Sequence, residues 1–271
     1  MPSPSAAVVV TFSTIDRAFL DTILSESLRF AKQVVVSYGT QLLNGEPEDL
    51  DWIAQKKVEW NEKDPRVTFA SYDVVLPIEN NPLKYRQHAY YHNVSRIRGV
   101  ECIREVNPNV DCVFFLDSDE VPDGMLVLNW LSNVQLPENK AILFANYWYF
   151  RDPRFQATTL ESSILMVPWD WVSTDEKADR LLMQDMERHA MPREATIVGV
   201  VMPNNLAMFH HYSWVRSKAD LLRKVTCWGH KGDRDWISEV EREFEGEFQG
   251  RDFVHGYEYK IVPNRWKINV N

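Results

Sequence analysis

Two aspartates, one residue apart, directly follow an apolar segment. Asp117 and Asp119 are separated only by Ser118 and come straight after residues 111–116 (DCVFFL). Such a segment is typical of a buried strand, and ligands of open α/β sheets bind beyond the carboxyl ends of strands. Two carboxylates placed there can share Mg²⁺ or Mn²⁺, which usually also holds substrate phosphates. The pattern predicts a metal-assisted phosphate or diphosphate site.

The same Asp-x-Asp pattern occurs twice more, where it has a plainer explanation. Asp49 and Asp51 stand at a predicted helix start, where acidic side chains interact favourably with the helix dipole. Asp233 and Asp235 lie in a polar segment before another predicted helix. The plainer alternative for the pair after the strand is likewise a turn whose aspartates cap the next helix.

Strand and helix patterns alternate in the first half of the chain. Strands are predicted at 7–12, 34–36, 67–70 and 111–116, and helices at 15–31, 47–60 and 84–106. Apolar, β-branched runs between helices indicate a parallel sheet that is covered on both faces. Further strands are predicted at 141–150, 162–167, 195–202 and 206–210, and further helices at 217–228 and 235–245. The fold class is therefore α/β, a single domain with a mixed sheet and helices on both faces.

Composition excludes several classes of protein. The 271 residues carry a formal charge of −9, which disfavours a nucleic-acid binder. No apolar run approaches the ~18 residues of a membrane span. Cys102, Cys112 and Cys227 are an odd number at unrelated spacings, and the first residues show no signal-peptide pattern, so we expect a reducing, cytoplasmic location.

A strand ending in Asp-x-Asp after three strand–helix units resembles the GT-A family of nucleotide-sugar glycosyltransferases. The resemblance covers about residues 7–130 and a histidine nearer the C-terminus. It implies a Rossmann-like sheet with a nucleotide-binding half at about 7–120 and an acceptor-binding half at about 121–271. By general appearance the chain also resembles the small soluble glycosyltransferases of large algal viruses and bacteria. A capsid-glycan xylosyltransferase is among these, so UDP-xylose is one candidate donor.

The resemblance also implies a set of ligands around a UDP-sugar donor. In that family Asp-x-Asp binds a metal that bridges the diphosphate, and a histidine often adds a ligand; here that is His210 or His211, and an imidazole ligand favours Mn²⁺ over Mg²⁺. Strand alternation allows only one of the two histidines on the site face. The candidate donor-binding residues are Thr11, Phe12, Tyr38, Arg96, Ser118, Lys218 and His230. A glycan would be the acceptor.

An inverting transferase needs a carboxylate that takes the proton of the acceptor hydroxyl. The candidates are Asp73, Glu161, Asp185 and Glu187, and Asp73 is preferred because it opens a loop at a strand end. A retaining mechanism, which needs no such base, stays open. We further expect Asp119→Ala to remove activity and to leave the fold intact.

Two other functions compete with this one. A haloacid-dehalogenase-type phosphatase also has Asp-x-Asp after a strand, with Asp117 as nucleophile and Asp119 as acid/base; against it, three strands precede the motif, and the family's later acidic motif is incomplete at Gly232-Asp233. A non-catalytic carbohydrate-binding protein would use the ten tryptophans as platforms for sugars.

Overall fold

In the computed structural model, the strands of the described residues form one mixed sheet with ten members. The structure describes residues 3–74, 87–106, 109–136, 140–172, 196–228 and 230–270. None of the helices in these ranges is long and apolar enough to cross a membrane. Strands from both halves of the chain belong to the one sheet, and helices cover both of its faces. The predicted α/β class with a mixed sheet is confirmed.

The strands and helices have the following bounds. The strands are β1 (Ala6–Phe12), β2 (Ala31–Gly39), β3 (Val67–Tyr72), β4 (Cys112–Asp117), β5 (Glu120–Pro122), β6 (Lys140–Phe150), β7 (Phe155–Pro168), β8 (Thr196–Val200), β9 (Phe209–Trp214) and β10 (Tyr259–Ile261). The helices are α1 (Arg17–Ser27), α2 (Leu50–Lys63), α3 (Gln87–Val106), α4 (Gly124–Asn133), α5 (Lys218–Cys227) and α6 (Trp236–Glu243).

The strand order places the end of β4 in the middle of the sheet. The order is β3-β2-β1-β4-β7-β6-β9-β5, with β10 paired to β7 and β8 paired to β6. The strands β3, β2, β1 and β4 are parallel, and β7 runs antiparallel to β4. Since parallel strands end at the same edge, the residues that follow them meet there.

Alternation along each strand divides the core into two layers. Val8, Val10 and Phe114 face a layer that includes side chains of α1, α2 and α4. Val9 and Phe115 face a second layer formed with α3. A third cluster joins the ends of β6 and β9 to α5 and α6. Because each inner strand is buried on both faces, its sequence is almost continuously apolar.

Four segments were not predicted from the sequence: α4, β5, β10 and the first half of β7. The helix α4 begins after Asp123, whose Oδ1 accepts a hydrogen bond from the Leu126 N–H. Its apolar, non-periodic sequence does not distinguish a helix from a strand. The strands β5 and β10 have three residues each, too few to show alternation. The first half of β7 is polar and half-exposed, and it was also missed.

A glycine on α3 allows this helix to lie close to β1. A Cβ atom at Gly99 would come within 2.4 Å of Val9 Cγ1 and 2.8 Å of its Cγ2. Val9 is β-branched and buried in the sheet, so it cannot rotate away without strain. The helix α3 can therefore lie this close to β1 only because Gly99 has no Cβ atom.

Gly99→Ala is expected to destabilise the fold by about 1–3 kcal/mol, the usual cost of overpacking. The free energy of unfolding in urea measures this. Gly246→Ala is the matched control, since a Cβ there meets nothing within 4 Å and the change should be neutral or slightly stabilising. Equal stability of the two variants would contradict the close packing of α3 on β1.

Candidate active site

Polar side chains form a line across the carboxyl ends of three neighbouring strands. Thr11 on β1 pairs in register with Ser37 on β2 and with Asp117 on β4, so the three side chains share one face of the sheet. Thr11 Oγ1, Ser37 Oγ and Asp117 Oδ1 are all buried, and none has a hydrogen-bond partner among the described residues. We call these three residues the polar row. Buried polar atoms are normally satisfied, so the row indicates a place for a polar ligand or water.

The N-terminal half of α3 covers the polar row. His92 and Arg96, one helical turn apart, place His92 Nδ1 and Arg96 Nη2 each 3.8 Å from Asp117 Oδ1. Arg96 is almost fully buried. Burial is the main cause that lowers the pKa of His92, against the opposing effect of Asp117. The row is thus closed on one side by a guanidinium group and a neutral imidazole, both donors suited to phosphate or hydroxyl oxygens.

Asp119 is buried among three basic side chains. Its Oδ2 accepts hydrogen bonds from Arg216 Nη2 and Lys224 Nζ, both at 2.9 Å. Its Oδ1 lies 3.3 Å from His211 Nε2. Burial works to raise the pKa of Asp119, but Lys224 and the other two basic groups outweigh it and hold the pKa well below its usual range. Asp119 is therefore ionised at neutral pH.

The ion pairs of Asp119 extend to the first helix. Arg216 Nε donates to Asp16 Oδ1 at 2.9 Å, and the Ser118 hydroxyl donates to Asp16 Oδ2. We call Asp16, Asp119, His211, Arg216 and Lys224 the charged cluster. It joins the N-terminal turn of the first strand–helix unit to β9 and α5, and all five side chains are largely buried.

The buried ion pairs of Asp119 predict, against the expectation from the sequence, that Asp119→Ala destabilises the fold. Within the described residues, Lys224 has no other carboxylate at ion-pair distance. When one partner of a buried ion pair is removed, the other charge remains unpaired and away from water, which strongly destabilises the fold. The substitution therefore affects folding as well as chemistry.

The Glu120 side chain accepts a hydrogen bond from the backbone of the Asp-x-Asp motif. Its Oε2 accepts a hydrogen bond from the Asp117 N–H at 2.8 Å, and its Oε1 accepts one from the Ser163 hydroxyl at 2.5 Å. Burial first, and then the nearby Asp117 carboxylate, raise the pKa of Glu120 to about 7. Both oxygens are occupied and the side chain is buried, so Glu120 is a positioning residue.

The two neighbouring histidines lie on opposite faces of β9. His211 faces Asp119 and Glu120, which overcome the effect of burial and raise its pKa to about 9. His210 points the other way, where its Nδ1 lies 2.7 Å from the Tyr149 hydroxyl. Burial, with Arg265 nearby, lowers the pKa of His210 to about 3. Only His211 belongs to the charged cluster.

Two donor atoms of the charged cluster are spaced as metal ligands. Adjacent ligands of an octahedral Mg²⁺ site, each at ~2.1 Å, lie about 3.0 Å apart; Asp119 Oδ1 and His211 Nε2 lie 3.3 Å apart. Arg216 and Lys224 bond to Oδ2, and His211 alone faces Oδ1, so a metal between these two atoms would take the place of the His211 proton. Nowhere in the described ranges do three or more His, Cys, Asp or Glu side chains form a complete metal site. The residues fit a metal whose other ligands are phosphate oxygens and water, and the metal site stays a prediction.

The other predicted donor-binding residues are spread over both faces of the sheet. Phe12 and Tyr38 lie on the face opposite the polar row, where buried Phe12 stacks on Trp52 with ring centroids 6.0 Å apart. Lys218 is the exposed first residue of α5. His230 is exposed and bonds to Asp233, and it lies near enough to His92 to help lower the pKa of that imidazole.

The candidate bases are far apart. Asp73 is exposed and follows β3, the outer strand of the parallel set. Three strand spacings of ~4.8 Å put it about 14 Å across the sheet from the end of β4. Glu161 is half-buried on β7, and Tyr257 donates a hydrogen bond to its Oε1 at 3.0 Å. Asp185 and Glu187 lie outside the described residues.

Sequence reasoning missed several residues of the site, including Asp16 beside Arg216. Arg216 and Lys224 belong to a basic segment whose sequence is equally typical of a solvent-exposed helix face. Only their burial in the structure distinguishes them from the exposed basic residues nearby. The residue His92 is detectable as the i−4 neighbour of Arg96 on one predicted helix. Glu120 directly follows the motif, but nothing in its spacing shows that it binds back to the motif's backbone.

Comparison with known proteins adds a distant structural likeness. No protein-family model and no curated protein matches the sequence. Among solved structures, the chain is similar to a glycosyltransferase involved in the glycosylation of the major capsid of PBCV-1. The TM-score is 0.37 and the identity 12%, over 80% of this chain and 98% of that chain. What this chain does must therefore be inferred from its own residues.

Proposed function

We propose that this protein is a metal-dependent glycosyltransferase that moves a sugar from a UDP-sugar to a hydroxyl group of a glycan acceptor, with inversion at the anomeric carbon. The observation that carries the proposal is the juxtaposition of the polar row and the charged cluster at the carboxyl ends of the parallel strands. Unsatisfied hydroxyl and carboxylate oxygens suit a ribose, and adjacent cations suit a diphosphate.

In this proposal different residues bind different parts of the UDP-sugar donor. Thr11, Ser37 and Asp117 hold hydroxyl groups of the nucleoside. Arg96, which lies on α3, faces a phosphate oxygen of the donor. Asp119 and His211 would hold Mn²⁺ or Mg²⁺, with His211 as a neutral imidazole. A metal held there would compensate the charge that develops on the diphosphate leaving group.

The acceptor oxygen attacks the anomeric carbon while the bond from that carbon to the diphosphate oxygen breaks. The bonding electrons leave with UDP, whose new negative charge is also compensated by Arg96. Arg216 and Lys224 keep Asp119 ionised and fixed, so the site does not have to reorganise as charge develops. A base removes the proton of the acceptor hydroxyl.

The two competing functions fit the site less well. A phosphatase of the haloacid-dehalogenase type needs its second aspartate to give a proton to the leaving group, whereas the pKa of Asp119 is held well below its usual range. A carbohydrate-binding module needs exposed aromatic platforms. No tryptophan whose side chain the structure describes is fully exposed.

The proposal is tested by UDP release from UDP-glucose, UDP-galactose, UDP-xylose and UDP-N-acetylglucosamine, each with Mn²⁺ or with EDTA. We expect one donor to release UDP in Mn²⁺ and to be inert in EDTA. We also expect UDP with Mn²⁺ to raise the melting temperature, because a ligand of the native state stabilises it. No turnover together with no thermal shift from any nucleoside diphosphate would contradict the proposal.

The assignment of the metal ligand to His211 gives a separate prediction. His211→Gln should raise the Mn²⁺ concentration for half-maximal UDP release at least about tenfold. His210→Gln should leave that concentration unchanged, because this ring faces Tyr149 on the other side of β9. Melting temperatures of both variants control for folding. A metal dependence that moved with His210 would reverse the assignment.

A further inference from the structure

A turn near the C-terminus comes close to Glu161 and carries two aromatic side chains. His255 Nε2 lies 3.6 Å from Glu161 Oε1, and the Tyr257 hydroxyl donates a hydrogen bond to the same oxygen at 3.0 Å. The rings of His255 and Tyr257 stack with centroids 5.0 Å apart. Neither residue stands out in the sequence, since they are about a hundred positions away from their carboxylate.

This turn is rigidly built. The buried Asp252 accepts hydrogen bonds from the backbone N–H groups of His255, Gly256 and Tyr257 at 2.6, 3.2 and 2.9 Å. Gly256 has a φ of +73°, a conformation that a residue with a side chain rarely adopts. Asp252 also accepts a hydrogen bond from the Tyr259 hydroxyl. The backbone thus fixes where both rings stand before any ligand binds.

The turn borders the charged cluster. Trp148 on β6 pairs in register with His211 on β9, and their ring centroids are 4.8 Å apart. Trp148 also contacts the His255 ring, with centroids 4.9 Å apart. Glu161 pairs with Asn146, two residues before Trp148, so its side chain shares this face of the sheet. The rings of His255 and Trp148 therefore connect Glu161 to His211, the predicted metal ligand.

One oxygen of Glu161 is available for chemistry. Tyr257 and His255 occupy the Oε1 side, whereas Oε2 has no hydrogen-bond or ion-pair partner in the part of the chain that the structure describes. The side chain is 21% exposed, so a ligand can reach it. Burial first, and then Glu161, raise the pKa of Tyr257 to about 12, so its hydroxyl remains a donor at neutral pH.

We infer that Glu161 is the base that accepts the proton of the acceptor hydroxyl, and that His255 and Tyr257 are positioning residues that hold its Oε1. The inference rests on the proposed function. The acceptor O–H proton passes to Glu161 Oε2, the acceptor oxygen forms its bond to the anomeric carbon, and the bond to the diphosphate oxygen breaks. The substrate that fits is a sugar hydroxyl resting against the exposed edge of His255. Asp73, at the far edge of the parallel strands, is the rival.

The first test compares Glu161→Gln with wild type, using the active UDP-sugar and a panel of methyl glycosides as acceptors. Transfer should fall at least about 100-fold, the usual weight of general-base catalysis. UDP binding in Mn²⁺, measured by calorimetry, should not change. Glu258→Gln is the matched control: Glu258 directly follows Tyr257, has an exposed side chain, and should keep wild-type transfer when changed.

The outcomes separate the inference from the function on which it rests. Glu161→Gln transferring sugar within about threefold of wild type would overturn the inference, as would loss of transfer on Asp73→Asn with Glu161→Gln active. A wild-type protein that neither binds UDP nor turns over any donor would instead show that the proposed function is wrong, and the base assignment would fall with it.

A second test addresses the positioning role. Tyr257→Phe removes only the hydroxyl that bonds to Glu161, so it should lower kcat for transfer about tenfold, equivalent to one hydrogen bond, and leave the KM for the donor unchanged. If Tyr257 had only a structural role, Tyr257→Phe would lower the melting temperature, but it would not lower kcat while leaving the KM for the donor unchanged. Unchanged kcat in a stable Tyr257→Phe protein would remove Tyr257 from the account.

Discussion

Asp119→Ala is expected to unfold more easily than wild type by about 3–5 kcal/mol, in addition to losing activity. The carboxylate is buried and holds Arg216 and Lys224, so its removal leaves Lys224 with no carboxylate at ion-pair distance within the described residues. Urea unfolding measures the loss. Asp235→Ala is the matched control: that aspartate is an exposed helix cap, and its removal should cost only about 1 kcal/mol.

A double variant isolates the cause. In Asp119→Ala with Lys224→Met, the stranded ammonium is replaced by an apolar side chain of similar length, so part of the lost stability should return. Activity should stay lost in both proteins. If Asp119→Ala alone were within about 1 kcal/mol of wild type, the charged cluster would not carry the structural role that its geometry indicates.

Asp117→Asn is expected to have the second large effect, this time on activity alone. The Asp117 side chain is partly exposed, and its carboxylate makes no hydrogen bond within the described residues, so an isosteric amide should leave the free energy of unfolding within about 1 kcal/mol of wild type. UDP release at a subsaturating donor concentration should fall about 100-fold, because the hydrogen bonds between the charged carboxylate and the nucleoside hydroxyl groups are weakened.

The contrast between the two aspartates is itself a test. Stability and activity should both fall on changing Asp119, whereas only activity should fall on changing Asp117. Asp51→Asn, in an Asp-x-Asp pattern at the start of α2, is the control and should alter neither. An Asp117→Asn protein that is stable and turns over donor at the wild-type rate would place the active site elsewhere.

The parallel half of the sheet was predictable because each inner strand is buried on both faces. Continuous apolar runs locate β1, β2, β3 and β4, and the alternation with helices indicates their parallel order. Strands that depend on a distant partner were harder. The three residues of β5 are strand-like only because β9 pairs with them, and the polar start of β7 is held by β10.

The residues of the candidate site also fall into those that the sequence predicts and those that depend on tertiary contacts. The sequence predicts Asp117 and Asp119 as site residues because a buried strand leads into them, and strand alternation limits the candidate histidine ligand to one of a neighbouring pair. The roles of Arg216 and Lys224 depend on tertiary burial, which charge patterning along a helix does not reveal. Thr11 and Phe12 were predicted together, yet they face opposite sides of the sheet, since a one-residue step reverses the side chain.

Calorimetric titration of UDP into the protein, in Mn²⁺ and then in EDTA, tests the central claim most directly. The claim predicts one UDP per chain in Mn²⁺, little or no binding in EDTA, and strongly weakened binding by Asp117→Asn in Mn²⁺. Equal affinity in Mn²⁺ and EDTA would contradict the metal site. Absence of binding by any nucleoside diphosphate under both conditions would contradict a nucleotide-sugar donor at the ends of these strands.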